Sequence, residues 1–113
     1  MEEQDLTIYA ENVAVEFPFA PSDHTQTLNS AQNLGEFFAN IGTFASGHRI
    51  ELLEASAFEG GFTLEYRESS TFRATGRAYA SRIVWTACIE DGRIVRLREY
   101  YDPLRVLEAL GER

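Results

Sequence analysis

The hydrophobic and polar positions divide the chain into one helical stretch and several alternating ones. Residues 1 to 11 are polar, with Leu6, Ile8, Tyr9 and Ala10 as their apolar content, and suit only the last turns of a helix. Val13, Val15, Phe17 and Phe19 then alternate with Asn12, Ala14, Glu16 and Pro18, which predicts a half-buried strand ended by Pro18 and Pro21. A polar loop from Pro21 to Thr27 contains His24. Leu34, Phe37, Phe38, Ile41, Phe44 and Ala45 recur at helical spacing and predict a helix over Ser30 to Ser46 with one broad apolar stripe. Asn29, three residues before Gln32, has the spacing of a capping box, and Gly47 is placed to stop the helix.

The second half reads as strands separated by turns. Strands are expected at 48–59, 62–73, 78–90 and 93–102, with turns at Gly60-Gly61, Thr75-Gly76 and Asp91-Gly92. Asp-Gly between alternating runs is a strong two-residue hairpin signal. Pro103 opens a short helix, Leu104 to Leu110, with Gly111 as its stop. The fold class is therefore α+β. An antiparallel meander, strongly curved, wraps a long helix whose stripe must lie on the sheet. Such a roll encloses a cone-shaped hollow, and the N-terminal helix is expected to be short.

Strand periodicity places two carboxylates toward that hollow. Val95, Leu97, Glu99 and Tyr101 share a face that is apolar but for Glu99; Ile94, Arg96, Arg98, Tyr100 and Asp102 share the other. Likewise Glu68 falls on the face of Phe62, Leu64, Tyr66, Ser70 and Phe72. A buried, unpaired carboxylate resists ionisation, and its raised pKa suits proton transfer near neutral pH. Glu99 is either such an acid/base or a structural carboxylate paired with Arg82 or a tyrosine hydroxyl. Glu68 is either its partner or a side chain that reaches solvent at a strand end. Arg82 either orients a substrate carboxylate or neutralises Glu99. Phe17, Tyr66, Trp85, Leu97 and Tyr101 are candidate walls for a flat ligand, with ordinary core as the plainer reading.

Composition narrows the classes. The 113 residues suit one domain, 1–113, and a formal charge of −8 argues against nucleic acid or an anionic membrane as partner. No apolar run approaches the roughly 18 residues of a membrane span. The acidic Met1-Glu2-Glu3-Gln4-Asp5 is unlike a signal peptide. Cys88 stands alone and reads as a small buried hydrophobe in a reducing, cytoplasmic setting. His24 and His48 are far apart and give no metal signature. His48 reads as a cap at the helix C-terminus, and His24 as an exposed loop residue. No phosphate loop or dinucleotide fingerprint is present, so no cofactor is expected.

The segment Tyr9-Ala10-Glu11-Asn12-Val13-Ala14-Val15-Glu16-Phe17-Pro18, together with Asp91-Gly92-Arg93-Ile94-Val95 and Arg98-Glu99-Tyr100-Tyr101-Asp102-Pro103, resembles the nuclear transport factor 2-like superfamily. Within it the chain is most similar to SnoaL-like proteins, related to ketosteroid isomerase. The tail from Arg98 to Gly111 and Phe17-Pro18-Phe19-Ala20-Pro21 also resemble the phenazine-biosynthesis A/B proteins. The resemblance implies the cone-shaped roll, and it implies chemistry only residue by residue. The ketosteroid isomerase general base falls on Phe17, and its oxyanion-hole acid falls on Val84, so that route is missing. The limonene epoxide hydrolase triad would map to Arg82, Glu99 and Val84 and is incomplete. The general acid of the phenazine proteins maps to Glu99. The expectation is a homodimer that binds a small apolar or aromatic molecule, with cofactor-free isomerisation, cyclisation or condensation. Glu99 and Arg82 would be catalytic, and Tyr101, Leu97, Tyr66, Trp85, Phe17 and Glu68 would line the site. The alternative is a non-catalytic binding or dimerisation module, marked by a hollow filled with Phe17, Phe19 and Trp85.

Overall fold

The computed structural model describes residues 5–112; the acidic stretch Met1 to Gln4 lies outside them. A single turn of 3-10 helix, Leu6–Ile8, stands where the end of a helix was expected. Strand β1 (Tyr9–Glu16) follows directly, earlier than the alternation from Asn12 suggests. Phe17 is buried just beyond it, whereas Phe19 is 57% exposed and packs on Tyr100 at a ring separation of 5.3 Å. A two-residue strand β2 (Thr27–Leu28) pairs back on the end of β1.

Helix α1 spans Ala31–Phe44. Its cap is Ser30, not Asn29: the Ser30 hydroxyl accepts from the Asn33 N–H at 3.0 Å, the geometry that satisfies an orphan first-turn donor. Leu34 is 1% exposed and anchors the stripe. The chain passes without a loop into β3 (Ala45–Phe58), and Gly47, expected to stop the helix, sits inside that strand. Its φ of +65° and the register shift between Ser46 and Arg49 mark a bulge, where glycine supplies the left-handed residue. Strands β4 (Gly61–Phe72), β5 (Ala78–Glu90) and β6 (Arg93–Tyr100) complete the expected meander. Asp91 and Gly92 both have positive φ, 51° and 76°, as a two-residue primed hairpin turn requires.

The six strands lie in the order β2-β1-β6-β5-β4-β3. One pairing departs from an antiparallel sheet: β1 runs parallel to β6, with Val15 opposite Leu97. Further register shifts fall between Leu52 and Glu54 and between Cys88 and Ile89. Each bulge sharpens the local twist, and together they curl the sheet around α1. The shift beside Ile89 brings Ile94 into the core in place of Val95, so the inward face of β6 reads Ile94, Leu97, Glu99.

Two apolar clusters close the cone. Tyr9, Val13, Val15, Phe17, Leu34, Ala87, Ile94 and Leu97 pack where β1 and β6 meet α1. Ala45, Phe72, Tyr79 and Ala109 pack where helix α2 (Pro103–Leu110) covers the far ends of β4 and β5. Asp102 caps α2 by accepting from the Leu104 N–H at 3.0 Å, and Gly111 ends it in the left-handed conformation. The hollow lies between the clusters.

Candidate functional site

Alternation along β4, β5 and β6 sends Tyr66, Glu68, Trp85 and Glu99 to the concave face. Glu99 lies directly across from Trp85 in the β5–β6 register, and Trp85 across from Leu64 in the β4–β5 register. The Trp85 indole N–H donates to Glu99 Oε1 at 2.7 Å, and the Tyr66 hydroxyl donates to the same oxygen at 3.2 Å. The Tyr66 and Trp85 rings meet edge-on at 6.0 Å. Among the described residues both bonds fall on Oε1, and Oε2 has no hydrogen-bond partner. Burial pushes the Glu99 carboxyl from an ordinary 4.5 up to about 7; the Trp85 and Tyr66 hydrogen bonds pull it down, and the nearby charge of Glu68 pushes it up.

Glu68 is the second interior carboxylate, and burial raises its pKa too, against a lowering hydrogen bond from Tyr79. Opposite it stands His48, with Nε2 3.9 Å from Glu68 Oε2. His48 Nδ1 is buried without a hydrogen-bond partner among the described residues, and burial lowers the pKa of the ring. The imidazole is thus held toward its neutral form, able to accept a proton. The hydroxyls of Tyr66 and Tyr79 are driven well above the usual phenol range, first by burial and then by the carboxylates beside them, so they stay protonated and can donate.

These groups border two neighbouring spaces. An inner cavity of about 390 Å³ lies between α1, α2 and the loop before β2, with Phe17, Phe37, Phe44, Phe72 and Tyr101 among its walls. An outer groove of about 980 Å³ runs along β3 and β4, past Ile50, Leu52, Tyr66 and Trp85. Phe37, Ile41, His48, Glu68 and Glu99 border both. The acidic groups therefore sit at the junction.

Most candidate residues meet there, and two do not. Arg82 points outward: its Nε lies 3.3 Å from Glu65 Oε2, and its side chain is 65% exposed. Its neighbours Ser81 and Ile83 are the inward residues of β5, and strand alternation turns Arg82 the other way. It neither neutralises Glu99 nor reaches a ligand in the hollow. Leu97 is fully buried in the β1–β6–α1 core and borders neither space, because the cone has narrowed to side-chain contact there. Cys88, expected to be buried, is exposed. Conversely, His48 belongs to the site although it reads as a helix cap. It was expected at the very start of a strand; β3 instead begins at Ala45, and the bulge between Ser46 and Arg49 falls at His48.

His24 also borders the inner cavity. With Asp23 and Glu112 it forms the one trio of potential metal ligands among the described residues, their atoms within 4.8 Å of one another. Asp23 and Glu112 are exposed.

Comparison with solved structures decides the architecture. An NTF2-like protein from Burkholderia thailandensis superposes with a TM-score of 0.79 at 23% identity, over 93% of this chain and 81% of that one. The chain has the nuclear transport factor 2-like fold. A phenazine biosynthesis-related protein from Pseudomonas aeruginosa shares this fold at a TM-score of 0.79 and 14% identity, over 94% of this chain and 72% of that one. A protein from Catenulispora acidiphila with the ketosteroid isomerase-like form, crystallised in complex with trimethylamine, gives a TM-score of 0.78 at 13% identity, over 94% and 78%. By sequence, the chain is 26% identical over 106 residues to YesE of Bacillus subtilis, an uncharacterized protein, covering 92% of this chain and 72% of that one. No protein-family model matches the chain.

Proposed function

We propose that the hollow of this nuclear transport factor 2-like fold binds a small apolar or aromatic molecule and transfers a proton to or from it without a cofactor. The observation that carries this reading is the Glu99 carboxyl at the border of the hollow: one oxygen held by Trp85 and Tyr66, no arginine paired with it among the described residues, and a pKa near neutrality. Such a group changes protonation at little cost at pH 7, the condition for efficient general acid/base catalysis. Trp85 and Tyr66 stabilise the carboxylate left when the proton departs. Glu68 and His48 supply a second proton station, as isomerisation or cyclisation needs when one proton leaves and another arrives elsewhere. Phe17, Phe37 and Tyr101 form the inner walls. The trimethylamine complex of the Catenulispora protein supports a small-molecule ligand in this fold.

The sign that would favour the rival, a hollow plugged by Phe17, Phe19 and Trp85, is not met, because Phe19 lies outside and Trp85 borders a groove; a non-catalytic binding module of the same fold is the second reading, and the exchange experiment below separates the two. A homodimer remains part of the proposal, supported by apolar side chains left at the surface of β3, Ile50 at 61%, Leu52 at 61% and Phe58 at 56% exposure. A cytoplasmic setting belongs to the same proposal. No helix among the described residues is long and apolar enough to cross a membrane.

The proton chemistry is testable without the natural substrate. An enolisable bicyclic ketone such as 2-tetralone exchanges its activated C–H protons with D₂O, and NMR follows the exchange. Wild-type protein should accelerate it, and Glu99→Gln should remove the acceleration while keeping the circular dichroism spectrum. Undiminished exchange in the variant would take Glu99 out of the mechanism.

A further inference from the structure

The walls of the hollow carry charge of one sign. Glu68 and Glu99 stand at the junction, and Asp23 lies at the rim of the inner cavity. Among the described residues no arginine borders either space, and the sequence contains no lysine. Five arginines pair outside the hollow. Arg67 pairs with Glu51, Arg82 with Glu65, Arg96 and Arg98 with Glu16, and Arg105 with Asp102. Two histidines are the remaining cationic candidates: His24, on the border of the inner cavity, stands 4.0 Å from the Asp23 carboxylate, and His48, at the junction, is held toward its neutral form. An anionic ligand would thus enter a space with carboxylates and no counter-charge, where like charges repel strongly because little water screens them.

Aromatic rings make much of the remaining wall. Phe17 and Phe37 stack at 5.0 Å, Tyr101 meets Phe17 at 6.5 Å, and Phe72 meets Tyr79 at 5.2 Å. Aromatic faces carry negative quadrupole density and attract cations, most strongly where water is excluded. Two ionised carboxylates in one apolar space are costly unless paired, and the described residues place no fixed cation between them. The chain relieves that cost by holding protons on them; a bound cation relieves it as well and leaves them charged.

We propose that the ligand of the hollow is an organic cation, a substituted amine or ammonium carrying apolar or aromatic groups, held between the Glu68 and Glu99 carboxylates and the aromatic wall. This rests on the hollow being the ligand site, as read above, and not on its being catalytic. It adds a direction to the chemistry. A cation beside Glu99 holds it ionised, so that with such a ligand the carboxylate begins the reaction as a base.

Quenching of the Trp85 fluorescence by three probes tests this: phenyltrimethylammonium, its uncharged isostere tert-butylbenzene, and benzoate. The cation should bind about tenfold or more tightly than the isostere, and benzoate should not bind. The double variant Glu68→Gln/Glu99→Gln should lose the preference for the cation while still binding tert-butylbenzene, which reports that the hollow is intact. Benzoate binding as tightly as the cation, a preference that survives the double variant, or no binding by any probe would each overturn the inference. Exchange of 2-tetralone without cation preference would sink this inference alone; cation preference without exchange would sink the proton chemistry alone.

Discussion

Replacing Glu99 with Gln should make the protein more stable at high pH, and by an amount the site itself sets. The Glu99 carboxyl rises from 4.5 to about 7 in the folded protein. In the unfolded chain it ionises near 4.5, so between these values the folded state binds more protons than the unfolded state. Stability then falls as pH rises through that window, and the full loss is present above about pH 7. At 1.36 kcal/mol for each tenfold change in acidity, the loss is about 3 kcal/mol, a large part of the 5–15 kcal/mol typical of a domain. The substituted amide would keep an oxygen for the Trp85 and Tyr66 donors and has no charge to lose. At about pH 4 the two proteins should agree within about 1 kcal/mol, the worth of one rearranged hydrogen bond. At about pH 8 the variant should lead by about 3 kcal/mol relative to that baseline. Glu68, raised in the same direction, and His48, lowered, are present in both proteins, so the difference reports Glu99 together with its coupling to Glu68. Urea unfolding followed by circular dichroism across this range reads it directly. Parallel stability curves for the two proteins would refute the claim that Glu99 is held away from its charged form.

Other consequences are local. Arg82→Ala should cost less than about 1 kcal/mol, as an exposed ion pair does, and should leave 2-tetralone exchange unchanged; a large loss of exchange would return Arg82 to the site. Gly61→Ala should destabilise by about 1–3 kcal/mol in thermal unfolding, because the added carbon would collide with the Ala87 carbonyl oxygen and stand 2.9 Å from the Phe58 ring; a neutral effect would mean that the first residues of β4 yield easily. Light scattering at micromolar concentration should give twice the 12.8 kDa chain mass, and Leu52→Glu should shift the mass toward one chain. A single-chain mass for the wild type would end the dimer proposal.

What the sequence makes legible follows its physics. The Asp91-Gly92 turn, the face of β4 carrying Tyr66 and Glu68, and the Pro103-to-Gly111 helix are local in origin, and each stands as read. Glu99 faces inward as the alternation of its strand requires, although the bulge near Val95 reverses the parity at Ile94. Arg82 was illegible because Ile83-Val84-Trp85 is apolar on both faces, so periodicity leaves the inward side of β5 undecided. Leu97 was on the correct face but at the wrong depth, since depth depends on where β1 docks, and that parallel pairing joins segments about eighty residues apart. His48 was hidden by Gly47, which suits a helix stop and a bulge equally well. Only the bulge makes His48 a neighbour of Glu68.

Trp85 is the chain's one tryptophan, and its indole N–H ends on Glu99. Its ¹⁵N–¹H resonance, followed through a pH titration of the unliganded protein, therefore reports the charge of that carboxylate. The expected curve moves with a midpoint of about 7 and flattens in Glu99→Gln. A midpoint near 4.5, the ordinary position of a solvated glutamate, would contradict the account.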